Sequence, residues 1–328
     1  MPKTTFVDGS PLTADFCNTV YSTGGGHVHD GADADGHSSK IILTSQVTGL
    51  LPFANTTLSP LFQDSVQGFN YVKSLTACPS LGAGNYDCLS ISPGACLDSY
   101  RTHVINSTSI FLKAMITPAL TGFAYWGQGT GYGGMALGNS LGAANFYYVF
   151  AISKVDGTVD YGFDGSYIAA ALMADTNVVA AGFVYYRRIG TIRMSTGGGG
   201  GYIRSLYQAA GDHLFGSDIA DYAGTADVAW TAKTLVVPIN IMVKAHCTVT
   251  VTNASTATLC LRDGVIPDDV VAGHSNDGRS FVLPASGSIV FQTDLTTNTT
   301  GQIYEKYLTS APSNIIINHT GYYDYRID

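Results

Sequence analysis

From about residue 66 the chain alternates apolar and polar positions in short runs, and turn residues interrupt them every ten or so positions. Period-two alternation puts successive side chains on opposite faces of an extended backbone, so the pattern predicts strands. They are expected at Phe183–Met194, Tyr202–Gln208, Leu235–Val243, Thr248–Thr252, Ser288–Thr293 and Asn314–Asn318. Asn145–Ile152, NFYYVFAI, is apolar at almost every position and reads as a buried strand. Val155–Val159, VDGTV, reads as a hairpin closed by an Asp-Gly turn. Within this region only Gly165–Ala174 offers a helix. The pentaglycine Gly197–Gly201 sits between two strand candidates and reads as a hairpin tip, because a run this short rarely separates domains. No repeat of solenoid or propeller period is present.

The first fifty residues have a different texture. Leu12–Asn18 fits a short helix with Thr13 as N-cap and Asp15 beside the positive end of the dipole. After Tyr21 come Gly24–Gly31, GGGHVHDG, and a small polar stretch to Lys40. Such a segment cannot satisfy its own backbone, so order there requires partner chains or a docking site. The expected fold class is all-β, with an extended N-terminal arm over residues 1–55 and a large β-sandwich or jelly-roll-like domain over residues 56–328. A further boundary within that domain is admitted near residue 220.

Charge narrows the function. Charged residues make up 12% of the chain and the net charge is −8, against about 25% charged in ordinary soluble domains. Nucleic-acid binding is driven by Lys and Arg displacing counterions, so it is not expected of this chain. No apolar stretch is long and unbroken enough for membrane insertion; Leu235–Val243 is interrupted by Pro238 and Asn240. Cysteines at 17, 78, 88, 96, 247 and 260 lack Cys-x-x-Cys spacing. Most are expected to be buried thiols, with one bridge admitted among Cys78, Cys88 and Cys96.

Catalytic patterns are present only in letters. Gly138-Asn-Ser140-Leu-Gly142 matches the nucleophile elbow, but a strand candidate follows where that motif needs a helix. Gly129-x-Gly131-x-x-Gly134 matches the dinucleotide fingerprint without the βαβ unit that would aim a helix N-terminus at a pyrophosphate. A glycan hydrolase needs two carboxylates at a set separation, and Asp156, Asp160 and Asp164 are the densest acidic group. Structural pairing of Asp160 and Asp164 with Arg187, Arg188 or Arg193 is the plainer use. Arg187, Arg188, Arg193 and Arg204 hold four of the sixteen Lys and Arg. Adjacent Arg187 and Arg188 should face opposite sides of a strand, one inward in a salt bridge and one outward toward acidic glycans. Tyr322, Tyr323 and Tyr325 are candidates for stacking on sugars or packing on a receptor.

Several segments carry a family resemblance. Thr5–Asn18, Gly26–Gly31 and His37–Ile41 resemble the N-terminal arm of tailed-bacteriophage tail-fibre proteins. Ile91–Asp98, Trp126–Gly131, Val159–Asp164 and Tyr186–Ile192 resemble a phage structural module, and Ile315–Tyr323 is similar to the last strand of fibre tips. The resemblance implies a homotrimeric tail-fibre or receptor-binding protein of the virion tail, assembled in the host cytoplasm. Other tail or baseplate proteins and a bacterial surface receptor, a glycan or a pilus or outer-membrane protein, would be its partners, and it would not be an enzyme. A baseplate or capsid decoration protein without receptor contact, and a polysaccharide-degrading tailspike, are the alternatives. In a trimer, His27 and His29 of an extended arm would share one face, and three chains would offer six imidazoles to a transition-metal ion on the three-fold axis. Hydrogen bonding to neighbouring chains or solvent is the plainer use of that pair.

Overall fold

The computed structural model describes residues 66–74, 87–115, 126–139, 141–195, 203–204, 206–225, 227–253, 255–265, 279–285, 287–308 and 314–326. All belong to one unit, Leu58–Asp328. The expected arm with its short helix, His27 and His29, Ser140 and the pentaglycine lie outside the described residues. Within them the order is β1 (Gln67–Gly68), β2 (Tyr71–Lys73), β3 (Cys88–Ile91), β4 (Gly94–Leu97), β5 (Val104–Ser107), β6 (Phe111–Ala114), β7 (Phe146–Lys154) and β8 (Val159–Asp164). Two short helices follow, α1 (Ala170–Ala174) and α2 (Thr176–Ala181). The rest is β9 (Phe183–Arg193), β10 (Leu206–Ala209), β11 (Asp212–Gly224), β12 (Thr231–Thr234), β13 (Val243–Asn253), β14 (Ala257–Arg262), β15 (Arg279–Leu283), β16 (Gly287–Thr296), β17 (Gln302–Tyr307) and β18 (Asn314–Asp324).

The alternation in the sequence builds a β-sandwich. In β13, Val243, Ala245, Cys247, Val249 and Val251 are buried, while Lys244, His246, Thr248, Thr250 and Thr252 point outward. That strand lies in an eight-stranded sheet of order β16-β13-β18-β11-β10-β2-β3-β6. Against its inner face packs the four-stranded sheet β12-β17-β14-β15, whose Leu259, Leu261, Leu283, Ile303 and Tyr307 share one core with Ile315 and Ile317. Each fully buried aliphatic side chain there stabilises the fold by about 1.5–3 kcal/mol.

A three-stranded sheet, β8-β7-β9, is covered on both faces. Tyr147, Val149 and Ala151 of β7 join a core with Tyr71, Leu89, Ile91 and Ile105. Tyr148, Phe150 and Ile152 join the other core with Trp126, Leu172 and Phe183. Burial on both sides accounts for the unbroken apolar run in the sequence. Every pairing between these named strands is antiparallel.

Some expected elements differ from those observed. Leu235–Val243 is not a strand: β12 stops at Thr234, Pro238 has no N–H for a ladder, and Asn240 adopts a φ of 66°. Leu235, Val237 and Ile241 are nevertheless buried, so an irregular segment carries the apolar residues that mimicked a strand. The helix expected over Gly165–Ala174 forms only from Ala170, and α2 continues beyond it, capped by the Asp175 side chain accepting from the Asn177 N–H. The Asp-Gly turn is present, with Gly157 at a φ of 86° and the Thr158 N–H donating to Asp156. Met194 and Ile203, flanking the pentaglycine, form an antiparallel bridge. Cys247 and Cys260 are free, buried thiols and Cys96 is buried, but Cys88 is disulfide-bonded. Among the described residues no helix is long and apolar enough to cross a membrane.

Candidate functional site

The carboxylates and arginines singled out in the sequence serve the interior. Asp160 does not pair with an arginine: its carboxylate lies 2.7 Å from Lys113 Nζ, both groups buried, and accepts from the Gly129 N–H. The glycine-rich 129–134 segment is thus a loop laid over a buried ion pair. Asp164 also lacks the expected arginine and accepts from the Leu172 and Ser166 N–H groups. Asp156 remains in its exposed turn. Arg187 and Arg188 are both buried, which corrects the expectation of one outward guanidinium, because β9 belongs to the sheet covered on both faces. Arg188 pairs with Asp324 at 2.5 Å and Arg187 donates to the Arg326 carbonyl. Arg193 is buried beside Phe146, and Arg204 donates to the carbonyls of Ser217 and Asp218. Of the three C-terminal tyrosines, Tyr322 is buried against Thr191 at 2.6 Å, Tyr323 is half-buried and Tyr325 is exposed.

A cluster none of those motifs contained lies on the outer face of the eight-stranded sheet. Cross-strand neighbours present side chains on the same face, and the register pairs His246 of β13 with Asp294 of β16. His246 Nδ1 lies 2.8 Å from Asp294, and its Nε2 lies 3.2 Å from Asp212 of β11. A carboxylate only accepts, so both contacts are fully made when the ring carries a proton on each nitrogen. Lys244 Nζ approaches Asp294 at 3.2 Å. Partial burial of Asp294 disfavours its charged form, but the hydrogen bonds from His246 and Lys244 outweigh this and hold the carboxyl below its usual range.

Around this triad the face is polar and mostly uncharged. A hollow of about 200 Å³ is lined by His246, Thr248, Gln292, Asp294 and Thr320 together with Cys247 and Thr293, a cross-strand pair in which Cys247 is buried and the Thr293 hydroxyl accepts from Arg279. Tyr323, cross-strand to both Asp212 and Lys244, stands beside it. Two residues beyond Asp212, Leu214 continues the face into an exposed row with Tyr207 and Val72, which are aligned across β11, β10 and β2. Hydroxyls, an amide and paired carboxylates next to tyrosines form a surface able to hydrogen-bond a polyhydroxylated partner and to stack on it. Among the described residues no group of three His, Cys, Asp or Glu could hold a metal ion.

No family model matches this chain. No curated protein matches it either. Among solved structures it is similar to one described as "Structure of infectious bursal disease virus Gx strain", at 11% identity, over 80% of this chain and 74% of that one, with a TM-score of 0.20. A likeness that low carries no argument about this chain, so its function rests on its own residues.

Proposed function

We propose that this chain is a bacteriophage virion protein, a homotrimeric tail-fibre or receptor-binding component that attaches the particle to a bacterial surface, and that it is not an enzyme. The observation that supports this most is the outer sheet face, where an open polar hollow, the exposed Tyr207 and the half-buried Tyr323 stand on the sandwich. A sheet held by packing on its inner side fixes the outward groups in place, so little ordering is lost when a partner is bound.

The same groups are poorly arranged for hydrolysis. A glycosidase requires one carboxyl kept protonated as general acid, with a raised pKa. Asp294 is instead held low by His246 and Lys244. Asp160 does have a raised pKa through burial, but it is enclosed with Lys113. These features favour attachment over the tailspike alternative. In this reading the arm over residues 1–55 joins the protein to other tail or baseplate proteins, and the sheet face looks toward the host. Incubating purified protein with surface polysaccharide and with intact cells tests the choice. Adsorption to cells without release of oligosaccharides is expected; released oligosaccharides would overturn it, and binding confined to virion proteins would favour the baseplate or decoration role.

A further inference from the structure

We propose that the side chains of Lys113 and Asp160 close an amide bond with each other, a covalent link between β6 and β8 that is independent of the attachment reading. Geometry comes first. Lys113 Nζ lies 2.7 Å from Asp160 Oδ1, and the two side chains are sealed from solvent at 0% and 1% exposure. Neither group is free to turn away. Lys113 Nζ also donates to the Gly127 carbonyl at 2.6 Å, and the Trp126 ring covers it at 5.0 Å. Asp160 Oδ2 accepts from the Gly129 N–H at 2.6 Å, and Oδ1 accepts from the Tyr161 N–H at 2.7 Å. The carboxyl carbon is therefore held against one nucleophile, the arrangement in which orientation fixed in advance lowers a barrier most.

The chemistry needs no third reactant. An ammonium does not attack a carboxylate, whereas a neutral amine attacks a carboxylic acid. Passing one proton across the 2.7 Å contact from Nζ to Oδ1 makes the reactive pair. Its surroundings favour that form, because burial lowers the Lys113 pKa and raises that of Asp160, each against the attraction of the other group. The Nζ lone pair then attacks the carboxyl carbon, and the negative charge that develops on Oδ2 faces the Gly129 N–H. As the C–N bond forms and the C–Oδ1 bond breaks, a second proton passes from Nζ to Oδ1, which leaves as water. Oδ2 stays as the amide carbonyl, and the third proton stays as the amide N–H. Ammonium and carboxylate thus become one amide and one water, with no oxidant and no change of net charge. Among the described residues no other carboxylate contacts the pair, so both protons move within it and closure is slow. The link joins the eight-stranded sheet to the β8-β7-β9 sheet. It also closes roughly fifty residues of chain, which restricts the unfolded state as a disulfide does.

The test weighs the full-length protein, fresh and after ageing in buffer, by mass spectrometry of the reduced and denatured chain. The variant Lys113→Met, which keeps much of the side-chain bulk without the amine, is weighed beside it. Aged wild type should fall short of its sequence mass by one water, with the linked fraction rising on ageing. Proteolysis should release a branched peptide that joins the Lys113 and Asp160 segments, and Lys113→Met should keep its full mass. Aged wild type at its full sequence mass would overturn the inference. So would a loss of water that persists in Lys113→Met, because the exposed Asp156-Gly157 turn can lose water by cyclising onto its own backbone. The branched peptide is read on wild type alone, so its absence from aged protein overturns the link even where the variant fails to fold.

Discussion

His213, near the start of β11, is buried and stacked on the Tyr322 ring at 4.7 Å, and burial pushes its pKa down to about 3. An exposed histidine in the unfolded chain titrates near 6.5. Between those values the unfolded chain binds a proton that the folded one refuses, so stability is complete above about pH 6.5 and declines as pH falls toward 3. The slope from this one group reaches about 1.4 kcal/mol per pH unit. Urea midpoints measured from pH 7 to 4 should show it, and His213→Gln should flatten it. Asp324 adds a fall in the same direction at lower pH: burial opposes its ionisation, but Arg188 and His213 hold its carboxyl below the ordinary range. Removing that carboxylate, 2.5 Å from the buried Arg188, should be costly. Asp324→Ala is expected to destabilise the fold by about 3–5 kcal/mol in denaturant titrations. None of these partnerships was legible in the sequence. Asp160 and Asp164 stand near three arginines in the chain, yet Lys113, some fifty residues away, and backbone N–H groups are their partners. Residue type announces that a buried charge needs a partner, and only the packing of distant strands selects it.

At the level of elements, alternation was a good guide wherever a strand has one dry and one wet face. The expectations over Thr248–Thr252, Ser288–Thr293 and Asn314–Asn318 fall inside β13, β16 and β18. Leu235–Val243 misled because irregular chain can bury Leu235, Val237 and Ile241 as well as a strand does. The outer site was not legible, since Asp212 and Asp294 lie 34 and 48 positions from His246 and only strand register assembles them. Its one trace in the sequence is the Lys-x-His-x-Thr alternation at Lys244–Thr248, which marks the outward side of a strand without naming what it meets. The pairing of β11 with β18 depends on close backbone approach at Gly321, where an added Cβ would lie 2.0 Å from the His213 carbonyl oxygen. Gly321→Ala should therefore lower stability by about 1–3 kcal/mol. Gly287→Ala, with nothing within 4 Å of its Cβ, should be near neutral, and thermal unfolding of the two variants compares them directly.

For the whole molecule, the sandwich was legible because patterning fixes which faces are buried, while assembly through the glycine-rich first fifty residues is part of the proposal. Light scattering of the purified protein at micromolar concentration is expected to give a trimer. If His27 and His29 hold a metal on its axis, elemental analysis should find about one transition-metal ion per trimer, lost when both are replaced by alanine. Attachment to the host is the claim on which the rest depends, and competition for the cell surface tests it most directly. Purified full-length protein, added to susceptible bacteria before the phage, should remain on the washed cells and reduce phage adsorption in proportion to dose. Protein that washes away completely and leaves adsorption unchanged would contradict the account.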